Sequence, residues 1–202
     1  MREPGSERQS TDPSAERVVL LDPSANAIGT ADKRTVHHHS TPLHLAFSCH
    51  LFDEKGKVLV TRRALSKRTW PGVWTNSFCG HPCPDETIEA AVARRAEEEL
   101  GARIQNLRLL DPDFRYRATD SSGIVENEVC PVYEATVSGA LSPSPDEVME
   151  WAWVDPASLI GAATLAPFAF SPWMVLQIPA LDAAAKLRSI DARSSGDGMP
   201  GT

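Results

Sequence analysis

Asn76-Ser-Phe-Cys-Gly-His-Pro-Cys-Pro-Asp-Glu-Thr-Ile-Glu-Ala-Ala-Val-Ala-Arg-Arg-Ala-Glu-Glu-Glu-Leu-Gly101 decides the architecture of this 202-residue chain. It gathers a thiol, an imidazole and a run of carboxylates around one glycine turn. Asp85 or Thr87 stands where a side-chain oxygen can accept from the first free amides of a helix. Ile88, Ala91, Val92, Ala96 and Leu100 then recur at helical spacing, which predicts an amphipathic helix from about residue 86 to 100. Gly101 ends it, because glycine takes the left-handed conformation of a helix terminus without strain. Arg94 with Glu98 and Arg95 with Glu99 are i,i+4 pairs, each worth only about 0.2–0.5 kcal/mol on an exposed helix. Taken alone, that is a solvated helix face. A strand running through Cys79-Gly80-His81 into such a helix is, however, a place where ligand chemistry is built. In extended chain Cys79 and His81 lie two apart and share a face.

Composition bounds what this stretch can serve. With 42% hydrophobic residues the chain can bury one substantial core. The expected organisation is a disordered tail over 1–16, a single domain over 17–184, and a helix end with a flexible tail over 185–202. A formal net charge of −7 disfavours nucleic acid as a partner. An acidic protein that handles anions must concentrate its positive groups locally. No apolar run approaches the ~18 residues of a membrane span, and Glu3, Glu7 and Asp12 stand where a basic, then apolar, leader would. A cytoplasmic protein with no membrane partner is expected. Cys49, Cys79, Cys83 and Cys130 fall at irregular spacing, which reads as free thiols in a reducing compartment.

Outward from the central stretch, Val18–Leu21 reads as a first strand closed by a turn over Asp22–Asn26. His37, His38 and His39 read as an engineered remnant or a solvated loop. Leu45–Phe52 and Lys57–Arg62 read as strands joined by Asp53-Glu-Lys-Gly56. The second delivers Arg62, Arg63, Lys67 and Arg68, the densest cationic cluster of the chain and a plausible phosphate clamp. Phe114–Arg117 and Gly123–Tyr133 read as a hairpin turning at Asp120-Ser-Ser-Gly123. On it Glu126 and Glu128 share a strand face. Pointing inward, that carboxylate pair requires a metal ion or a shared proton. Glu147–Val154 reads as a late strand, Asp155-Pro156 as the start of a short helix, and the segment after Phe168–Met174 as a helix to about Ile190. Cys49 and Cys130 are expected in the core, Cys83 in a loop, Trp70 and Trp74 as packing residues, and His50 facing solvent or satisfied locally.

Two resemblances rest on these residues. Gly80, Glu86, Arg94, Glu98, Glu99 and Gly101 match the Nudix box, G-x5-E-x7-R-E-U-x-E-E-x-G-U, except that Arg95 stands where the hydrolases carry a metal-holding glutamate. His44-Leu-Ala-Phe-Ser48, Thr61–Lys67, Trp70–Ser77, Cys79–Pro82, Asp113–Ala118, Gly123–Pro131 and Phe170–Met174 together resemble type 1 isopentenyl-diphosphate isomerases over about residues 30–180. The resemblance implies an α+β fold, a Nudix-like α/β/α sandwich with a mixed central sheet. It implies conversion of isopentenyl diphosphate to dimethylallyl diphosphate, a 1,3-allylic rearrangement through a tertiary carbocation.

What the resemblance implies for individual residues is specific. His37, His44, His81, Glu126 and Glu128 would hold one Mn2+ or Zn2+, while Glu99 and the substrate diphosphate would hold one Mg2+. Lys33, Arg63, Lys67 and Arg95 would bind the diphosphate, so the departure at Arg95 becomes a phosphate ligand. Cys79 and Glu128 would exchange the two protons, with Tyr116 beside Glu128 and Trp173 over the carbon skeleton. His38 and His39 have no place in that pattern. The partner would be a small prenyl diphosphate, and the protein a monomer or weak homodimer. The competing expectations are a Nudix pyrophosphohydrolase acting on a nucleoside or prenyl diphosphate, and a non-catalytic domain holding structural zinc.

Overall fold

The computed structural model describes residues 16–196, and side chains to Arg188. Residues 1–15 and 197–202, most of the expected N-terminal tail and the end of the C-terminal one, lie outside the described residues. In chain order the elements are β1 (Arg17–Leu21), β2 (Ala27–Asp32), α1 (Lys33–Val36), β3 (His44–Leu45), β4 (Phe47–Phe52), β5 (Val58–Arg63), β6 (Trp74–Thr75), β7 (Phe78–Gly80), α2 (Ile88–Leu100), β8 (Arg103–Asp111), β9 (Arg115–Thr119), β10 (Val125–Val129), β11 (Val132–Ser138), β12 (Val148–Val154), α3 (Pro156–Leu165), α4 (Pro172–Leu176) and α5 (Ile178–Gly196). The last helix, expected to end near Ile190, runs to Gly196.

The central mixed sheet has the order β12-β5-β4-β11-β8, with β6 and β7 added beside β5 and β4. The period-2 pattern of its strands sorts side chains to two faces. Phe47, Cys49 and Leu51 of β4 and Leu59 of β5 pack against Ala91, Val92, Ala96 and Leu100 of α2. Phe52, Val58 and Val60 point the other way, into a second cluster with Leu159 of α3, Met174 of α4 and Leu181 and Ala184 of α5. One helix on one face and three on the other make the expected sandwich.

A second sheet, β2-β1-β3-β10-β9, is joined to the first by two strands that change sheet side by side. β3 continues into β4 through Ala46, and β10 into β11 through Cys130-Pro131, both pairs running parallel. The Ala46 amide donates to the Val129 carbonyl at 2.9 Å and the Ser48 amide to the Pro131 carbonyl at 3.0 Å, so pairing carries across the step. Pro131 has no amide hydrogen for a ladder. The single strand expected over Gly123–Tyr133 is therefore two strands in two sheets, and Leu45–Phe52 likewise divides at Ala46.

Two further strands lack a sequence signal. β2 is an exposed edge without apolar alternation. β8 carries a bulge, with a register shift against β11 and Asn106 at φ 54°, so its apolar residues lose period 2. The helix α2 is as expected, with Thr87 rather than Asp85 as its cap, accepting from the Ala90 amide at 3.2 Å, and Gly101 in the left-handed region at φ 58°.

Gly80, where β7 leaves the sheet, allows a close approach. A Cβ there would lie 2.8 Å from Arg95 Cγ and 2.9 Å from the Phe47 ring. Gly80→Ala is expected to destabilise the fold by about 1–3 kcal/mol through overpacking, measured by chemical denaturation.

Candidate active site

The step between the two sheets sets five functional side chains in register. Glu128 of β10 stands beside His44 of β3 on one side and Tyr116 of β9 on the other. Glu126, two residues back, shares its face, and both carboxylates point inward, at 6% and 5% exposure. His81, two residues after Cys79, completes the group from the other sheet. Its Nε2 lies 3.2 Å from Glu128 Oε1 and 3.2 Å from His44 Nε2. His44 Nε2 is 3.4 Å from the same carboxylate oxygen, and His37 Nε2 is 3.1 Å from Glu126 Oε2. One ligand atom from each of His37, His44, His81 and Glu128 lies within 4.8 Å of the others.

These donors fit a divalent cation. His44 Nδ1 faces the Pro42 carbonyl at 2.9 Å, and a carbonyl only accepts, so Nδ1 carries a hydrogen and in the neutral imidazole Nε2 is the atom left to ligate. His37 Nε2 and Glu126 Oε2 are buried without a hydrogen-bond partner although they face each other. Burial lowers His81 to about 3, against the opposing pull of Glu128, which keeps its imidazole neutral as a ligand requires. Bare nitrogens and two carboxylates crowded out of water repel one another without a positive centre. The group that converges is three imidazoles and the Glu128 carboxylate, a nitrogen and oxygen set without thiolate, and Glu126 stands beside it against His37.

The triple histidine divides its labour. His37 turns into the cluster, while His39 Nδ1 donates to the Gly123 carbonyl at 2.8 Å and the His38 carbonyl accepts from the Val125 amide at 3.0 Å. The latter two fasten the loop to β10 and its turn.

A cavity of about 460 Å³ opens beside this cluster, lined among others by Cys79, Glu128, Tyr116 and Trp173. Trp173, 3% exposed, stands in α4 with its ring 5.7 Å from Tyr116 and edge-on to Trp70 at 5.3 Å. Burial pushes the Cys79 thiol up to about 12, with the Ser48 hydroxyl pulling the other way. Burial also raises the Tyr116 hydroxyl, and the Glu128 and Glu126 carboxylates raise it further.

Lys33, Arg63, Lys67 and Arg95 line the same cavity. Lys67 is paired with Glu147 and Lys33 with Glu16. Arg95 Nη2 reaches Glu99 at 2.5 Å and Glu147 at 3.1 Å. Arg63 donates through Nε and Nη2 to the Thr69 carbonyl at 3.0 and 2.9 Å, with its guanidinium carbon 5.4 Å from the Trp173 ring centre. Glu99 lies one small cavity away, with Lys67, Arg63, Cys79 and Glu147. Arg62 leaves the expected clamp: strand alternation turns it outward, to Glu150 at 3.2 Å and the Gly72 carbonyl at 2.9 Å.

Several contributors have no sequence signal. Glu147 reaches Lys67 and Arg95 from the start of β12. Thr69 donates to Glu126 Oε1 at 2.7 Å. Asn76 and Ser77 are fully buried, polar residues between aromatic ones, and Asn76 hydrogen-bonds both Cys79 and Trp173. His50 departs from expectation. It is 1% exposed, neither ring nitrogen has a hydrogen-bond partner of good geometry, and burial lowers it to about 4. Cys49 and Cys130 are core residues and Cys83 lies in a loop, as expected.

Glu86 and Arg94 act as a clasp. Arg94 grips Glu86 through Nε and Nη2 at 2.8 and 2.7 Å and donates to the His81 carbonyl at 3.3 Å, while Glu86 accepts from the Cys83 amide at 2.8 Å. The spacing of glycine, glutamate and arginine thus ties the Cys79–His81 turn to α2.

Comparison with known proteins identifies the family. The NUDIX domain model matches residues 42–174. An isopentenyl-diphosphate Delta-isomerase of Leifsonia xyli is 62% identical over 86% of this chain and 95% of the relative. One from Klebsiella pneumoniae is 51% identical over 91% of this chain and 100% of its own length. Among solved structures, the MutT protein of Methanosarcina mazei superposes with a TM-score of 0.55 at 22% identity, covering 72% of this chain and 96% of its own. A Deinococcus radiodurans protein does so with 0.58 at 19%, covering 75% and 90%. These structural likenesses concern the fold alone. No described helix is long and apolar enough to cross a membrane.

Adding Mn2+ or Zn2+ to metal-stripped protein is expected to raise its unfolding temperature, by the equivalent of about 2.7 kcal/mol at a free ion concentration of a hundred dissociation constants. His81→Asn should shrink that shift, read by calorimetry. For the clasp, the Arg94 hydrogen bonds chiefly hold Glu86 below its ordinary 4.5. A depressed carboxyl stabilises the fold above its unfolded pKa and ceases to do so as pH falls through its folded value. The stability gap between wild type and Glu86→Gln should therefore be constant near neutrality and narrow below pH 4.5.

Proposed function

Because the chain belongs to the NUDIX family and, within it, to the isopentenyl-diphosphate Delta-isomerases, we propose that Glu128 and Cys79 carry the two proton transfers of its isomerisation. The observation that supports this reading is a single cavity in which Cys79, Glu128, Tyr116 and Trp173 meet six cationic side chains, Lys33, Arg63, Lys67 and Arg95 among them.

Moving an unactivated double bond begins with protonation of the alkene and yields a tertiary cation that water would trap, so the site must exclude water. Trp173 and Tyr116 supply buried aromatic wall. An indole face attracts a cation by about 0.5–2 kcal/mol, and the Trp173 N–H is held by Asn76 Oδ1 at 2.9 Å, which fixes the ring. Glu128, in its protonated form, is the acid in the forward direction: its proton goes to the terminal alkene carbon, with His81 3.2 Å from the carboxyl and Tyr116 beside it on the next strand. Cys79, as the thiolate, takes a proton from the carbon on the other side of the cationic centre and becomes the thiol, and that C–H electron pair becomes the new double bond. A thiol and a carboxyl can exchange these roles in reverse.

A divalent ion held by His37, His44, His81, Glu126 and Glu128, Mn2+ or Zn2+, would stabilise the charge left on Glu128. Glu99, with the substrate diphosphate, would hold Mg2+. Lys33, Arg63, Lys67 and Arg95 bind the diphosphate, Lys33, Lys67 and Arg95 exchanging carboxylate partners for phosphate oxygens and Arg63 its bonds to Thr69. Arg95, at the box position where a hydrolase places a carboxylate, supports anion binding over pyrophosphate hydrolysis. The described residues complete the cavity within one chain, which supports a monomer or weak homodimer, and a small charged substrate supports a cytoplasmic setting.

The test is proton NMR in heavy water with isopentenyl diphosphate, Mg2+ and Mn2+. Dimethylallyl diphosphate carrying solvent deuterium is the expected product. Cys79→Ser and Glu128→Gln should each lose about 100- to 10,000-fold in rate with unchanged circular dichroism. Wild-type turnover by either variant rejects that residue's role.

A further inference from the structure

Behind Cys79 lies a hydrogen-bonded network that the proton transfers above leave unused. Asn76 is its hub. Its Nδ2 donates to Ser48 Oγ at 2.9 Å and to the Cys49 and Phe78 carbonyls at 3.1 and 2.9 Å. Its Oδ1 accepts from Trp173 Nε1 and Thr75 Oγ1, each at 2.9 Å, and from the Cys79 thiol at 3.3 Å. Reversing this amide would set donor against donor and acceptor against carbonyl, so its orientation is determined. Asn76 Oδ1 therefore has no hydrogen to offer the sulfur.

Ser48, fully buried, is the other neighbour of that sulfur. Its Oγ lies 3.2 Å from Cys79 Sγ and 3.0 Å from Gln177 Oε1. A hydroxyl has one hydrogen. Since Asn76 already points a hydrogen at Oγ, the Ser48 proton goes either to Gln177 or to the sulfur. While Cys79 is a thiol, S–H donates to Asn76 and Ser48 is free to serve Gln177. Once the sulfur is anionic, Asn76 Oδ1 opposes it, and Ser48 is the neighbour that can donate. A hydrogen bond to an ionised acceptor is roughly twice as strong as a neutral one, so the hydroxyl gains by turning from Gln177 to sulfur.

We propose that Ser48 is a positioning residue for the isomerisation, a hydroxyl rotor that bonds Gln177 while Cys79 is protonated and Cys79 Sγ while it is not. The proposal rests on the reading that Cys79 exchanges a proton with substrate. In that exchange the substrate C–H bond breaks, its electron pair forms the new double bond, and the proton goes to sulfur. The Ser48 hydrogen stays on its oxygen throughout and changes only its acceptor. Ser48 touches neither substrate nor metal ligands in this scheme. The same hub ties the rotor to Trp173, so sulfur and cation-facing ring are held by one amide.

The experiment is steady-state kinetics on isopentenyl diphosphate with the metal-loaded full chain. Ser48→Ala should lower kcat by about 10- to 100-fold, the range for losing a hydrogen bond to a charged partner, and leave KM unchanged. Ser48→Thr, which keeps a hydroxyl, should recover most of kcat. Thermal unfolding checks that each variant is folded. Wild-type kcat in Ser48→Ala overturns the proposal, as does an equal loss in folded Ser48→Thr. If Ser48→Ala does not fold, Ser48→Cys carries the test, with a reduced kcat expected and full kcat overturning it. A fully active Cys79→Ser would sink the assignment of Cys79 itself. An active Ser48→Ala beside an inactive Cys79→Ser sinks only the rotor.

Discussion

The alignment of β3 with β10 is the constraint on which the site depends. His44, Glu128 and Tyr116 stand abreast on three neighbouring strands, and a slip of one residue would turn each of them to the opposite face. β3 and β10 are in register at only two positions, too few to secure that alignment. It is secured further along the same two chains, where β4 and β11 pair in parallel over five positions inside the main core. There Phe47, Cys49 and Leu51, with Tyr133, Ala135 and Val137, bury their side chains against α2. Hydrophobic burial in one sheet thus sets the position of the candidate metal ligands in the other.

Around that alignment the chain buries more charge than a core ordinarily tolerates. Glu99, Glu126, Glu128 and Arg95 are all less than 9% exposed. Such groups persist when each faces an opposite charge or a ligand. On the cationic wall of the cavity, Lys33, Lys67 and Arg95 face Glu16, Glu147 and Glu99. On the ligand side, imidazoles and carboxylates converge with bare lone pairs. The two halves solve one electrostatic problem in opposite ways, and Cys79 and Trp173 occupy the less polar space between them. Concentrating cations on one wall is also how a chain of net charge −7 binds an anion.

Motif spacing carried far because much of the site is local. The clasp between Glu86 and Arg94, the cap at Thr87 and the glycine at position 101 all lie within one turn-helix unit, so their geometry follows from helix periodicity. Cys79 with His81, and Glu126 with Glu128, follow from strand alternation, which also places Arg63 inward and Arg62 outward once β5 is known to carry one face on the cavity. The losses have equally local causes. Asn106 breaks the alternation of β8, β2 is exposed on both faces, and Pro131 divides a run that reads as one strand. His50 reads as a surface residue because an imidazole in a strand carries no mark of which layer covers it.

The sequence by itself determined the elements, the inventory of chemical groups and the faces on which neighbours project, because these follow from periods of 2 and 3.6 residues. Only the tertiary structure decided which of those faces meet. Glu147, Thr69, Ser48 and Gln177 join the site from segments far apart along the chain, through contacts that arise when two sheets and their covering helices close on a shared interior. Neither spacing nor composition encodes such a meeting, since it depends on the summed burial of the core rather than on any pair of residues.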